Sequence, residues 1–434
     1  MHSIWEETAS RPSFEALKGN KRTDVLIIGG GMTGLLCAHW LKKAGVDCLL
    51  VEADRICGGV TANTTAKITL LHGLLYDRLL RRLGEERARL FLQAQRRACD
   101  AYGELCGEIP CDYERKDAYV YSLRDPKRIE REVAALNRLG CAAEFSDASA
   151  LPFVVSGAVR VKGEAQFHPL KFAFEIARDL PICESTKVLE LRPNLAVTSH
   201  GEIRCERMIV ATHFPFLNKH GAYFLKLYQY RSYVLALKGA GDVEGMYVDE
   251  AREGLSLRSY GDLLLLGGGA HRTGKQGGGW SELEDFARTH YPKAWITAQW
   301  ATQDCMTLDA LPYVGQYARS TPDLFVATGY QKWGMSSSMM AAMLLTDQCL
   351  GRADRGLVDL LSPSRSVLHP QLALNAAESV IGLLTPTVPR CPHLGCALKY
   401  NREEHSWDCP CHGSRFGENG ELLDNPATDD KKMP

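Results

Sequence analysis

The segment from Asp24 to Glu52 constrains the fold of this chain more than any other. An apolar run is followed by glycines in G-x-G-x-x-G spacing, by apolar residues at helical intervals, and by a second apolar run that ends in Glu52. Such glycines permit a tight turn, a close approach of backbone amides to pyrophosphate, and helix–strand packing, while the acid accepts ribose hydroxyls. The pattern predicts a dinucleotide-binding βαβ unit with contacts at Gly29, Gly31, Met32, Thr33, Gly34 and Glu52.

Cysteine and histidine form two short motifs near the other end of the chain. Cys391-Pro-His393 is followed, after fifteen residues, by Cys409-Pro-Cys-His412. This is the spacing of a Rieske 2Fe–2S centre, in which one iron has two thiolate ligands and the other has two imidazoles. It predicts Cys391 and Cys409 as ligands of one iron and His393 and His412 as ligands of the other. A tetrahedral zinc site is the alternative, and the flanking sequences CPHLGC and CPCHGS favour iron–sulfur.

Composition is typical of a globular enzyme without a polyanionic partner. A length of 434 residues suffices for two or three domains, and 45% hydrophobic with 24% charged residues is ordinary. The formal net charge of −1 gives no reason to expect nucleic acid as a partner. No apolar run approaches the roughly 20 residues that span a membrane, and the N-terminal residues lack an apolar signal core. The predicted location is therefore the cytoplasm.

Several further segments carry a resemblance to a known family. They are the glycine- and threonine-rich loop 53–69, the segment 186–188, the strand end at 211–212, the T-x-D-x-x-P-x-x-G segment 307–315, and the segment 327–337. With them the chain resembles the FAD-dependent oxidoreductases of the D-amino-acid oxidase/sarcosine oxidase type. It resembles more closely a bacterial subgroup in which that flavoprotein is fused to a C-terminal Rieske domain. The resemblance implies FAD contacts at Thr65, Val188, Ala211, Thr212, Gly329, Trp333, Gly334 and Met335.

The resemblance also implies the architecture. We expect an α/β protein in which a Rossmann-like FAD-binding domain is interleaved with an α+β substrate domain and followed by a small all-β Rieske-type domain. The expected parts are 22–80, 155–215 and 300–352 for FAD, 81–154 and 216–299 for substrate, 353–385 as linker, and 386–434 for the cluster. A full Rieske domain usually has more strands before its first ligand loop, so this one is expected to be trimmed.

The residues expected at the reacting centre are His271 and Lys67. His271 falls where the family has a histidine on the substrate side, although a surface loop after a buried strand is the alternative. Lys67 is expected to place positive charge near the flavin, and a solvated lysine is the alternative. Cys305 lies near the region where some relatives attach FAD covalently, and a buried hydrophobic cysteine is the preferred interpretation there. Cys396 and Cys411 match a pair that some Rieske proteins join as a disulfide, with free thiols as the alternative.

The predicted function is oxidation of an amine or amino acid by hydride transfer to FAD, with electrons leaving through the cluster to an unknown acceptor. Oxidases of this type often have a lysine beside the flavin late on the strand before His271, where this chain has apolar residues and glycines. That departure disfavours a plain oxidase with a structural cluster, which is one alternative. The other is an electron-transfer component without an organic substrate.

Overall fold

Three β-sheets frame the protein in the computed structural model, which describes residues 2–217, 220–386 and 389–432. The first ten strands are β1 Lys21–Ile28, β2 Cys48–Val51, β3 Lys67–Ile68, β4 Glu114–Ser122, β5 Ala143–Ser146, β6 Gly157–Gln166, β7 Ile182–Cys183, β8 Val188–Arg192, β9 Leu195–Thr198 and β10 Gly201–Val210. The remaining strands are β11 Leu227–Lys238, β12 Gly245–Asp249, β13 Ser256–Tyr260, β14 Leu263–Arg272, β15 Trp295–Thr307, β16 Tyr313–Gln316, β17 Leu324–Thr328, β18 Lys399–Asn401, β19 Ser406–Asp408, β20 Arg415–Gly417 and β21 Leu422–Asp424.

Helices cover the sheets and link them. They are α1 Ile4–Glu7, α2 Met32–Lys43, α3 Tyr76–Leu83, α4 Glu85–Glu108, α5 Pro126–Arg138, α6 Pro169–Ala177, α7 Tyr223–Lys226, α8 Gly279–His290, α9 Gly334–Cys349, α10 Arg355–Leu361 and α11 Pro370–Leu384. None of the helices in the described ranges is both long and apolar enough to cross a membrane.

The first sheet is the predicted dinucleotide-binding unit. Its strand order is β16-β17-β10-β1-β2-β7, with parallel pairing from β17 to β7. Residues 25–28 of β1 are all buried, which explains their continuous apolar run, since a parallel strand is covered on both faces. Helices α2 and α9 pack against each other on this sheet. Their N-termini lie at the carboxyl ends of β1 and β17, where open α/β sheets bind ligands.

The second sheet is mixed and has the order β15-β11-β14-β13-β12-β4-β6-β3. It takes in β6 and the whole of β15, whereas the predicted boundaries put 155–166 and 300–307 in the FAD-binding domain. The reason is pairing: β6 lies antiparallel to β4 along nearly its whole length, and β15 lies antiparallel to β11. Because β11 and β15 are long, this sheet also reaches the third sheet.

The third sheet is small and confirms an all-β C-terminal domain. Strands β18 to β21 form an antiparallel meander around a core that includes Phe416, Leu398 and the cluster-motif cysteines. Helix α11 precedes it and lies within the predicted linker, residues 353–385. The α/β class, the interleaved substrate sheet and the small all-β module are all as the sequence predicts.

Candidate active site and cluster site

A cavity of about 860 Å³ lies between the first two sheets. Residues from two glycine motifs, 29–34 and 327–337, line the cavity, although the two motifs lie some 300 residues apart in the chain. The predicted site residues that line it are Gly29, Gly31, Met32, Thr33, Glu52, Thr65, Lys67, Val188, Ala211, Thr212, Gly329, Trp333, Gly334 and Met335. Gly34 lies behind the cavity wall and serves packing instead.

The first glycine motif is required by close backbone contacts. A Cβ atom on Gly34 would lie 1.9 Å from the carbonyl oxygen of Gly29, so helix α2 can sit on the turn only with glycine there. Gly29 has a φ of +108°, and a Cβ atom on it would lie 2.7 Å from the oxygen of Ala211. Gly31 caps α2 without a side-chain hydrogen bond of its own, and the backbone N–H of Met32 donates to the hydroxyl of Thr61 at 3.1 Å, which leaves the other N–H groups of the first turn for a ligand. Free N–H groups in this position bind pyrophosphate.

Glu52 stands at the end of β2 and holds the turn from the other side. Its carboxylate accepts hydrogen bonds from the backbone N–H of Gly30 at 2.6 Å and of Asp54 at 3.0 Å. Burial raises the pKa of Glu52, and these two donors act against that rise. The carboxylate therefore fixes the glycine turn in addition to offering an acceptor to a ribose.

The second glycine motif lies opposite the first. Gly329 follows β17 with a φ of +76°, and a Cβ atom on it would meet the side chain of Thr307 at 2.2 Å. Helix α9 then begins at Gly334, again without a side-chain cap. The hydroxyls of Tyr330 and Thr33 lie 3.0 Å apart and join the two motifs directly. A helix N-terminus here favours negative charge on a bound group by roughly 0.3–2 kcal/mol.

Lys67 lies in the cavity wall rather than in solvent. Its ammonium donates to the hydroxyl of Thr65 at 3.1 Å and lies 3.5 Å from that of Ser256. Burial, assisted by the charge of Arg258, lowers the pKa of Lys67 to about 7. The group can therefore carry a positive charge or release a proton near neutral pH.

His271 is placed differently from the sequence expectation. It is buried on β14, where its Nδ1 lies 3.2 Å from the oxygen of Gly269 and its ring stacks on Tyr233 at 5.7 Å. It is not among the described residues that line the cavity. Tyr233 stands between it and the space for a substrate, so the geometry gives no support to a substrate-side role. Neither interpretation of the sequence, site residue or surface loop, describes this packed position.

Cys305 also points away from the cavity. On β15 its neighbours Asp304 and Met306 line the space, because side chains alternate along a strand. The thiol of Cys305 is buried on the other face, 3.5 Å from the hydroxyl of Thr328. The buried hydrophobic interpretation fits this position.

The C-terminal motifs bring the predicted cluster ligands together. Cys391 and Cys409 are buried with their thiols in contact, and the rings of His393 and His412 lie edge to face with centroids 4.9 Å apart. Hydrogen bonds from Cys391 and from two further thiols hold the pKa of Cys409 well below its ordinary value, which favours the thiolate that binds metal. Each ligand loop thus supplies one sulfur and one imidazole to the same small volume.

The histidines fit a metal cluster by their own chemistry. Both ring nitrogens of His412 are buried and have no hydrogen-bond partner of normal geometry among the described residues, although the Cys409 thiol is near. Burial, with the neighbouring His412, lowers the pKa of His393 to about 4, so this ring is neutral at pH 7. Neutral imidazole is the form that coordinates metal, and buried polar atoms normally have partners. The site therefore fits a 2Fe–2S cluster.

Cys396 and Cys411 lie beside the ligands. Their sulfur atoms and that of Cys409 are all within 4.8 Å of one another. Both are free thiols in this structure rather than the predicted disulfide. Their closeness is compatible with a bond, which stays a prediction.

Comparison with known proteins agrees with both sites. Residues 24–348 match the family model described as FAD dependent oxidoreductase, and residues 367–434 match that of the Rieske [2Fe-2S] domain. The chain belongs to the FAD-dependent oxidoreductase family. Its cofactors are FAD and a Rieske 2Fe–2S cluster. The Rieske match begins at residue 367 and so includes α11, which the sequence interpretation had treated as linker.

Relatives share the architecture or the fold. The Putative Rieske 2Fe-2S iron-sulfur protein YhfW of Bacillus subtilis is 33% identical, with 98% of this chain and 96% of the relative covered. The glycine oxidase of Geobacillus kaustophilus has a TM-score of 0.69 at 19% identity, covering 80% of this chain and all of its own. The L-proline dehydrogenase of P. horikoshii has a TM-score of 0.68 at 15% identity, covering 80% and 98%.

This FAD-dependent oxidoreductase also has charged cavity residues that sequence reasoning missed. They include Arg78, Arg252, Asp304 and Lys332. Burial raises the pKa of Asp304 to about 6, and burial and the charge of Arg82 lower that of Arg78. The Arg252 guanidinium lies over the ring of Tyr230 at 5.3 Å. Arg78 belongs to the charged helix α3, and no local sequence pattern marks it as a cavity residue, because these four residues meet only in the folded chain.

The Rieske module of this oxidoreductase takes part in the cavity wall. Residues 422–425, 427 and 428 line the cavity beside the FAD-binding segments. The amide of Asn425 donates to the oxygens of Thr212 at 2.6 Å and Phe214 at 2.9 Å. The two cofactor sites are therefore neighbours in one structure, joined through the turn that contains Thr212.

Proposed function

We propose that this protein oxidises the C–N bond of a small amine or amino acid at FAD and passes the electrons through the Rieske cluster to an external acceptor. The observation that carries the proposal is the shared wall: residues 422–425, 427 and 428 of the cluster module line the same cavity as the FAD fingerprint. A cofactor in that cavity has the cluster module as a direct neighbour. Electron transfer between cofactors requires such closeness.

An amino acid is the preferred substrate class because of the charges in the cavity. Arg78 and Arg252 are cavity residues for which no ion pair is described, and a guanidinium binds a carboxylate in a two-point contact. Asp304, on β15, is ionised above about pH 6 and can accept a hydrogen bond from an ammonium group. The similar structures named a glycine oxidase and an L-proline dehydrogenase support the same class.

Bound FAD supplies the chemistry of accepting a hydride from carbon. The residues of this chain orient the substrate, since correct placement of reacting atoms removes much of the barrier. Asp304 receives the proton that the substrate ammonium must release before the C–H bond can be broken. Lys67, with a pKa of about 7, places positive charge in the cavity wall at neutral and lower pH.

Anaerobic stopped-flow mixing with amino acids and amines tests the proposal. The expected result is bleaching of the flavin band by at least one amino acid, followed by bleaching of the cluster band. In an Arg252→Met variant we expect a higher substrate concentration for half-maximal rate, by roughly 10-fold or more for loss of one charged contact. Gln316→Met, at a position outside the cavity, serves as the control.

A pure electron-transfer component is the second candidate, because the cluster and flavin sites adjoin. If no amine or amino acid bleaches the flavin while a reduced ferredoxin does, the proposal fails in favour of that role. Hydrogen peroxide formed in proportion to substrate, and unchanged in Cys391→Ser, would instead indicate an oxidase with a structural cluster.

The ligand assignment and the location also belong to this proposal. Cys391, Cys409, His393 and His412 are proposed as the cluster ligands. Electron paramagnetic resonance of the reduced protein should give a Rieske-type signal, and its absence from an iron-loaded sample would contradict the assignment. A cytoplasmic location is proposed because the eleven cysteines outside the cluster motifs are free thiols, as reducing compartments keep them.

A further inference from the structure

The second ligand loop of the cluster is held by the second, mixed sheet. This sheet also lines the FAD cavity and is called the flavin-side sheet below. Four consecutive backbone oxygens, those of residues 410 to 413, each accept a hydrogen bond from a side chain of β11, β14 or β15. Arg272 donates to the oxygens of Pro410 at 3.1 Å and Cys411 at 3.3 Å. Gln229 donates to His412 at 3.0 Å, and Gln303 donates to Gly413 at 2.9 Å. Backbone oxygens of a loop in the Rieske module therefore have their hydrogen-bond donors in another domain.

The donors are themselves fixed in place. Gln229 and Gln303 are each 1% exposed. The hydroxyl of Thr273 donates to Oε1 of Gln303 at 2.9 Å, which leaves the amide nitrogen to face the loop. Arg272 also donates to Asn375 on α11 at 3.1 Å. Nε2 of Gln229 also donates to the oxygen of Asn425 at 3.0 Å. Neither amide can turn without losing hydrogen bonds.

The packing leaves no room for the loop to slide. Gly413 has a φ of +89°, and a Cβ atom on it would lie 2.6 Å from Cβ of Gln229. On the other side of the interface a Cβ atom on Gly274 would lie 2.6 Å from the nitrogen of Pro410. Two glycines, one from each domain, thus allow the backbones to meet.

The two histidine ligands differ in what surrounds them. His412 is 2% exposed and lies beneath the flavin-side sheet, with the ring of Phe224 edge-on at 6.2 Å. His393 is only partly buried, and the next residue, Leu394, is 39% exposed. One ligand is enclosed between the domains, whereas the other lies near the protein surface.

We propose that Gln229, Gln303 and Arg272 are positioning residues for the cluster, which hold the His412 loop so that His412 is the ligand on the flavin side. The sheet then replaces the outer layer that the trimmed Rieske module lacks. Groups around a metal centre orient its ligands and tune its potential, and their loss typically costs 10- to 100-fold in metal affinity. The inference rests on the ligand assignment proposed above.

The test uses the full-length holoprotein with Gln229→Leu and Gln303→Leu, singly and together. We expect FAD content to stay unchanged, the Rieske electron paramagnetic resonance signal and the cluster midpoint potential to shift, and iron loss to a chelator to be roughly 10-fold faster or more. Gln316→Leu is the matched control, because Gln316 also donates to loop oxygens, those of Ala318 and Arg319, but outside the interface.

The isosteric variant Gln303→Glu keeps the packing but places an acceptor against the oxygen of Gly413, and should show the same shifts if the leucine variants do not fold. Unchanged signal, potential and iron loss in these variants would overturn the inference, as would equal changes in Gln316→Leu. A parent protein that gives no Rieske signal would contradict the ligand assignment instead, so the two failures are distinguishable.

Discussion

Gly34 is a position where one added carbon atom should destabilise the fold and weaken FAD binding. In Gly34→Ala the new Cβ atom would lie 1.9 Å from the oxygen of Gly29. Helix α2 or the turn must then move, and overpacking of this kind typically costs 1–3 kcal/mol or more. We expect a lower melting temperature and loss of FAD during gel filtration, both measured on the purified variant.

Gly107→Ala is the matched control for that substitution. Gly107 lies in α4 with no atom within 4 Å of an added Cβ. Alanine is favoured over glycine in a helix by about 0.5–1 kcal/mol, so this variant should melt at an equal or higher temperature. A Gly34→Ala protein that retains stoichiometric FAD and parental melting would contradict the packing argument.

Lys67 makes a pH-dependent prediction. Its pKa of about 7 means that the side chain is positive below pH 7 and neutral above it, whereas an ordinary lysine stays charged to about pH 10.5. Positive charge favours the reduced, anionic flavin, so Lys67→Met should lower the flavin midpoint potential at pH 6. A shift of roughly 30 mV corresponds to about 1.4 kcal/mol for two electrons.

The same substitution should have little effect at pH 8.5, where the parent lysine is neutral. Redox titrations at the two pH values measure the difference directly. Lys116→Met, which removes a lysine paired with Glu114 and Asp242, is the control and should leave the potential unchanged at both. An equal shift at pH 6 and pH 8.5 would refute the pKa assignment of Lys67.

Residue chemistry was predictable from sequence where the motif is local. The glycines of residues 29–34 and the cysteine and histidine pairs each lie within a few residues of their partners, so spacing alone indicates their task. Arg252 and Asp304 belong to strands and loops 50 residues apart that meet only through sheet pairing, and no local pattern distinguishes them from surface charges. The expected role of His271 stays a prediction, and Tyr233 rather than His271 lines the cavity, because strand position does not specify which side chain stands in front.

At the scale of elements, Glu404 joins the hairpin of β18 and β19 to strand β11. Its carboxylate forms ion pairs with Arg231 and Arg415, and all three side chains are less than 10% exposed. Burial raises the pKa of Glu404, but the two guanidinium groups outweigh it and hold that pKa at about 2. The ion pairs of Glu404 with the two arginines stabilise the folded state fully above about pH 4.5. This contribution is lost as the pH falls to about 2.

Glu404→Gln should therefore lower the free energy of unfolding at pH 7 by roughly 3 kcal/mol, the order expected for breaking a buried ion pair. Urea unfolding at pH 7 and pH 3 should show a smaller difference between variant and parent at the lower pH. Glu403→Gln changes the adjacent residue, which is bound by Ser281, and should cost less than about 0.5 kcal/mol. A pH-independent difference would contradict the ion-pair explanation.

Helices and strands were predictable wherever their periodicity is strong, and less so at their ends. The charged sequence over residues 76–107 favours one continuous helix, and the structure divides it into α3 and α4 at Gly84, whose φ is +80°. The exchange of β6 and β15 into the second sheet depends on pairing with β4 and β11, which are distant in the chain. Sheet membership is decided by such long-range pairing, and a single sequence carries little information on it.

For the molecule as a whole, the fusion places two redox groups in one continuous structure. The flavin-side sheet holds the His412 loop, and the cluster module in turn supplies residues 422–425, 427 and 428 to the FAD cavity. Each cofactor site is thus completed by the other domain. We expect the cluster and the flavin to equilibrate within one molecule rather than through collisions between molecules.

Anaerobic titration with dithionite tests this arrangement. FAD takes two electrons and a 2Fe–2S centre takes one, so full reduction should require about three electron equivalents per chain. Cys391→Ser removes a cluster ligand and should reduce the demand to about two, with the flavin band still bleaching. Cys106→Ser, at a buried cysteine outside the cluster motifs, should keep the parental demand.

After partial reduction the distribution of electrons between flavin and cluster should be reached at a rate independent of protein concentration, because both groups share one chain. A rate proportional to concentration would mean that the two sites do not communicate internally, and the shared cavity wall would then have no electron-transfer role.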